Sequence, residues 1–131
     1  MNMQKLSERK RFSIINRIQS STHAWRGLRI FFKNTHNAWL ELFFAFCACY
    51  LGFCLSISVA EWALLIVAIG LVFITEAFNT AIEVDINLTS PEYHPYARDT
   101  KDVAAGAVLL SVILACIIGL LIFFPKIMVL L

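Results

Sequence analysis

TEAFNTAIE, residues 75–83, closes a run, WALLIVAIGLVFI at 62–74, that carries no charge at all. A carboxylate within hydrocarbon costs on the order of 3 kcal/mol on insertion scales, and such a residue marks a functional site by default. On a helix turning about 100° per residue, with Glu76 at zero, Asn79 falls at about 300°, Glu83 at about 340° and Asn87 at about 20°. One flank of about 80° thus collects two carboxylates and two amides. Glu83 lies about 10 Å beyond Glu76 along the axis. Glu76 is therefore expected below the lipid headgroups and Glu83 at their level.

The surrounding chain supplies the membrane. Of 131 residues, 60% are hydrophobic and 15% charged, against about a quarter charged in a typical soluble domain. Three spans are predicted, at 39–60, 62–83 and 103–124. Each has about the 20 residues needed to cross roughly 30 Å of hydrocarbon. Three spans cannot close a barrel, so each must satisfy its backbone as a helix. The turn between the first two is expected around Glu61, without Lys or Arg, whereas Arg98 and Lys101 lie between the second and third. Positive-inside counting puts the N-terminus and the 84–102 segment in the cytoplasm and the C-terminus outside.

Eight of the 11 Lys and Arg lie in the first 33 residues. The apolar runs speak for a bilayer rather than nucleic acid as their partner. Phe12, Ile15, Ile18, Trp25, Leu28 and Phe32 recur at helical spacings with Arg11, Arg17, Arg26 and Arg29 between them. That pattern predicts an amphipathic surface helix over 1–36, a passive anchor or a roof over a site. This basic stretch has no apolar core and reads as no cleavable signal peptide. The fold expected is an all-α membrane protein, one domain over 1–131, with a surface helix and three transmembrane helices.

Between the second and third spans, Thr89 and Glu92 stand at capping-box spacing with Pro91 near the first helical position, and Pro95 offers a restart or a kink. Cys47, Cys49, Cys54 and Cys116 fall in apolar runs and read as packing residues, not a disulfide framework. His23, His36 and His94 lack ligand spacing, and the five glycines never cluster into a phosphate-cradling loop. Side chains and a metal would have to hold any phosphate. A deep carboxylate can take a proton from a lipid hydroxyl, a shallow one can hold Mg²⁺ with a nucleotide, and a lysine can offset phosphoryl charge. The same stripe could instead join helices by hydrogen bonds or relay protons.

EAFNTAIE at 76–83, followed closely by EYHPYARDTKDVAAGAVL at 92–109, resembles the prokaryotic diacylglycerol kinase family of small membrane kinases. KDVAAGAVL is more similar to its undecaprenol kinase branch. WRGLR at 25–29 and KN at 33–34 also fit, so the likeness runs over residues 20–115 without a gap. The resemblance implies an ATP- and Mg²⁺-dependent lipid kinase, a homotrimer in the bacterial inner membrane, phosphorylating diacylglycerol or undecaprenol. It implies Glu76 as catalytic base with Asn79, Lys101 and Asp102 beside it. Glu92, Tyr93, His94, Lys101, Asp102 and Arg17 would contact the nucleotide. Trp25, Arg29, Asn34 and Glu76 would border the lipid, and Glu83 and position 35 would hold the metal. The family has a Glu where this chain has Thr35, a neutral and weaker ligand. Glu41 matches a further acidic position. The alternative is a weakened kinase, or a non-enzymatic scaffold or relay that uses the Glu stripe to associate helices.

Overall fold

The computed structural model describes residues 14–130, and every regular element in them is a helix. These are α1 (Ile14–Asn34), α2 (His36–Cys54), α3 (Val59–Thr89) and α4 (Pro95–Leu130). α1 makes one unit; α2, α3 and α4 make a second. The start of the expected surface helix, including Phe12 and Arg11, lies outside the described residues. α2, α3 and α4 are each long and apolar enough to cross a membrane. Phe53, Leu121 and many other large apolar side chains are exposed along them. In water that surface would drive aggregation; against lipid tails it costs nothing.

The first turn falls earlier than the sequence predicts. α2 ends at Cys54, with Leu55 as its cap. Ser56 takes a left-handed φ of 47°. The Ser56 N–H then donates to the Phe53 carbonyl at 3.2 Å and the Ile57 N–H to the Gly52 carbonyl at 3.2 Å. Those two bonds define a Schellman ending, which satisfies carbonyls that the helix itself leaves open. Glu61 is not in the turn. It caps α3, its carboxylate accepting from the Ser58 N–H at 2.6 Å while the Ser58 hydroxyl accepts from the Glu61 N–H at 3.3 Å. Ile57 and Trp62, on either side of that capping box, both press on Gly52. A Cβ there would lie 2.9 Å from Ile57 Cδ1 and 3.2 Å from Trp62 Cη2. The reach of an apolar run gave no warning of this, because Schellman and capping-box atoms are chosen by side chains at four or five positions, not by hydropathy.

The second connection also differs. The pairing of Thr89 with Glu92 does not start a helix. Thr89 is the last residue of α3, and its hydroxyl donates back to the Asp85 carbonyl at 2.8 Å. Pro95, not Pro91, takes the first helical position of α4, where its missing N–H costs nothing. α3 has 31 residues and α4 has 36. At ~1.5 Å per residue they run ~46 and ~54 Å, well beyond the ~30 Å of a hydrocarbon core. Their shared end, around the 90–94 connection, therefore stands out of the apolar layer. α4 continues through Pro125 to Leu130.

α4 packs along α3 much more extensively than α2 does. The buried residues of α3 are Leu65, Ala68, Val72, Glu76 and Asn79. Their spacings of three and four trace one helix face. Its N-terminal part meets Ile57 and Ile122 in an apolar cluster. Its C-terminal part carries the polar groups Glu76 and Asn79.

Candidate functional site

The stripe read from the sequence is realised on α3. Glu76 is 3% exposed and Asn79 9%, while Glu83 and Asn87 are open. One flank of a single helix thus passes from sealed carboxylate to solvent within two turns. The Asn79 Oδ1 is buried and has no hydrogen-bond partner among the described residues. An acceptor left in that state costs about 1–3 kcal/mol, so a native protein keeps it for a reason.

α2 supplies a residue to which the sequence gave too little weight. Glu41 stands on α2 near Glu76 of α3. Its Oε2 is also buried without a partner among the described residues. The signal was present. Ala38, Glu41, Ala45, Ala48 and Gly52 follow one another on α2 at spacings of three and four, all buried or half-buried, and all but Glu41 are small. Small residues at that spacing mark a close helix–helix face in a membrane. Glu41 also ends a cavity of about 490 Å³ between α2, α3 and α4, whose other walls, including Phe44, Leu65, Val72 and Phe123, are almost wholly apolar.

Thr35 is brought to α3. It stands in the N-cap position of α2 but makes no side-chain cap. Its hydroxyl instead lies 3.1 Å from that of Thr80, within hydrogen-bond reach. Thr80 precedes Glu83 by three residues, one turn along the same helix surface. Two neutral hydroxyls therefore stand beside one carboxylate. Among the described residues, no three His, Cys, Asp or Glu side chains gather into a metal cage. An all-oxygen set with one carboxylate suits a hard cation that arrives with phosphate oxygens and water, as Mg²⁺ does, and suits a softer metal poorly.

Lys101 and Asp102 do not act on each other. Adjacent residues on a helix point about 100° apart. The Lys101 Nζ donates to the Asn87 Oδ1 at 2.6 Å, across from α4 to α3. Asp102 pairs with Arg98 one turn back, at 3.6 Å and largely exposed, a weak contact. Glu92, Tyr93 and His94 form the open connection between α3 and α4, and the His94 ring lies 5.7 Å from that of Tyr96. Trp25 and Arg29 are exposed on α1. Arg17 and Asn34 also belong to α1, and their side chains lie outside the described ones.

Taken together, the second unit holds a buried carboxylate, Glu76, on a largely apolar helix face. Oxygen donors for a hard cation and a lysine stand at the rim of the same helix pair. Such a layout can join a water-soluble anion to a hydroxyl carried on a lipid.

Comparison with known proteins agrees. A family model described as prokaryotic diacylglycerol kinase matches residues 22–123. Over 108 residues the chain is 39% identical to the undecaprenol kinase of Bacillus subtilis (strain 168), covering 82% of this chain and 88% of that one. It is 35% identical over 105 residues to a diacylglycerol kinase of Synechocystis sp. (strain ATCC 27184 / PCC 6803 / Kazusa), across 79% of this chain and 60% of the relative. It is 31% identical over 100 residues to the diacylglycerol kinase of Escherichia coli (strain K12), across 76% and 82% of the two chains.

Proposed function

Because the chain belongs to the prokaryotic diacylglycerol kinase family, we propose that it transfers the γ-phosphoryl group of ATP to the hydroxyl of a membrane lipid alcohol. Membership makes it a lipid kinase of the membrane. The nucleotide, the metal, the acceptor and the residue roles are our reading. So are a trimeric state and a place in the bacterial inner membrane with the 84–102 segment on the cytoplasmic side.

The observation that carries the reading is the contrast between Glu76, 3% exposed, and Glu83, open to solvent two turns on. Glu76 takes the hydroxyl proton as the lipid oxygen attacks the γ-phosphorus. A new P–O bond forms, the bond from that phosphorus to the bridging oxygen of the β-phosphate breaks, and ADP leaves. A general base must stand within reach of the proton it takes, and Glu76 is the buried carboxylate of α3. Asn79 and Glu41, each with a buried acceptor that has no partner among the described residues, keep the surroundings of Glu76 polar. Lys101 offsets charge on the phosphates. Glu83 would hold Mg²⁺, with the Thr35 and Thr80 hydroxyls beside it, and the ion when bound neutralises phosphate charge. Tyr93 and His94 border the nucleotide.

Two acceptors remain in view, undecaprenol and diacylglycerol, the former favoured by the longer and closer match to the Bacillus subtilis relative. The experiment is γ-labelled ATP with the purified protein in bilayers containing undecaprenol, diacylglycerol or a simple long-chain alcohol. Label in the undecaprenol fraction above all others is the expected result. Label in no lipid, from folded protein, would sink the kinase reading and leave a scaffold.

A further inference from the structure

Three polar side-chain pairs join α3 to α4. Lys126 meets Glu61 at 3.2 Å, Thr75 meets Ser111 at 2.8 Å, and Lys101 meets Asn87 at 2.6 Å. Each step along α3 is matched by a near-equal step back along α4, so the helices run antiparallel without slippage. The first two pairs have a packing reason. Thr75 is half-buried and Ser111 buried, and each hydroxyl also reaches a carbonyl of its own helix, so the two close a packed contact between the helices. Glu61 and Lys126 are both half-buried charges of opposite sign. The third pair has no such reason. Asn87 is exposed and Lys101 only partly covered, so water would satisfy both.

We propose that Asn87 is a positioning residue for Lys101, a role that rests on the kinase reading above. A lysine ammonium is a point charge on a flexible four-carbon stem. Left alone at a water-facing rim, it spreads over many rotamers, and a bound phosphate must collect it from all of them. The Asn87 Oδ1 accepts one of its three N–H donors and holds the head against α3, the helix that carries Glu76 and Glu83. The two remaining donors are free for phosphate oxygens. An amide carries no charge, so it orients the ammonium without neutralising it. Asp102, the acid next to Lys101 in sequence, is turned to Arg98 instead. Asn87 thus completes the polar flank that begins at Glu76, acting through Lys101 rather than on the substrate.

The test is an ATP titration of the purified full chain in bilayers, with Tm followed beside it. Asn87→Leu is expected to lower kcat/KM for ATP by about threefold to tenfold, the range for losing an ordinary hydrogen bond. KM for the lipid alcohol and Tm stay at the wild-type values, which a merely structural tie would not allow. Asn87→Asp keeps an acceptor at the same place but neutralises the ammonium, so it restores only part of the loss. In a Lys101→Met background, Asn87→Leu costs nothing further, because the group it served is gone. Unchanged ATP kinetics in Asn87→Leu, or the same loss with and without Lys101, overturns the proposal. Equilibrium binding of a fluorescent ATP analogue makes the same comparison without turnover. If the wild type labels no lipid, the kinase reading fails, and that binding measurement still decides for or against Asn87.

Discussion

The two ends of α3 follow opposite rules. At the turn end, each polar group named has a partner. Ser58 and Glu61 cap each other, Lys126 joins Glu61, and Ile57, Leu65 and Ile122 close over an apolar cluster. At the other end, Glu41 stands near Glu76, and Glu41 and Asn79 each bury an oxygen with no partner among the described residues. One helix therefore carries a region built to hold and a region built to react. Stability is not uniform in a protein, and sites that must receive a ligand leave groups unsatisfied that packing alone would have paired. Satisfied groups at the turn end offset what the site gives up.

The comparison breaks most sharply at Glu76. Glu76→Gln keeps shape and hydrogen bonding but removes the base, and lipid labelling should fall by about 10²- to 10⁴-fold, with Tm held or raised. Near-normal turnover would end the base assignment. The mirror change is at the turn end. Gly52→Val forces branched methyls against Ile57 and Trp62 and should cost about 1–3 kcal/mol, as overpacking does, read as a lower Tm in detergent. Turnover per folded protein should not change; a loss of turnover at full stability would mean that the two ends are coupled.

Smaller changes sharpen the contrast. Thr35→Glu places a second carboxylate beside Glu83, and the Mg²⁺ concentration needed for half-maximal turnover should drop severalfold. A superimposable Mg²⁺ titration would remove position 35 from the metal. Ser56→Gly relieves a left-handed residue and should stabilise the chain by about 1 kcal/mol or less, with the kinetics untouched. No rise in Tm would argue that Ser56 is not strained.

Much of this was legible in the chain. Twenty-residue apolar runs name membrane helices because a bilayer has a fixed thickness, and Glu76, Asn79, Glu83 and Asn87 share a flank because a helix has a fixed pitch. The ends of the helices were less legible. Glu61 read as a turn residue and proved to be a cap. Thr89 read as a helix start and proved to be a helix end. Nor did the chain show that Lys101 meets Asn87 on another helix while Asp102 pairs with Arg98.

The sequence by itself determined the solvent of this protein and the order of depth along α3, since both follow from local periods that no neighbour can alter. Only the tertiary structure decided which residue from another helix stands opposite each one: Glu41 near Glu76, Thr35 against Thr80, Lys101 on Asn87. Those pairings depend on how helices rotate and slide against one another. That is set by the sum of many small packing contacts and is written in no single stretch of the chain.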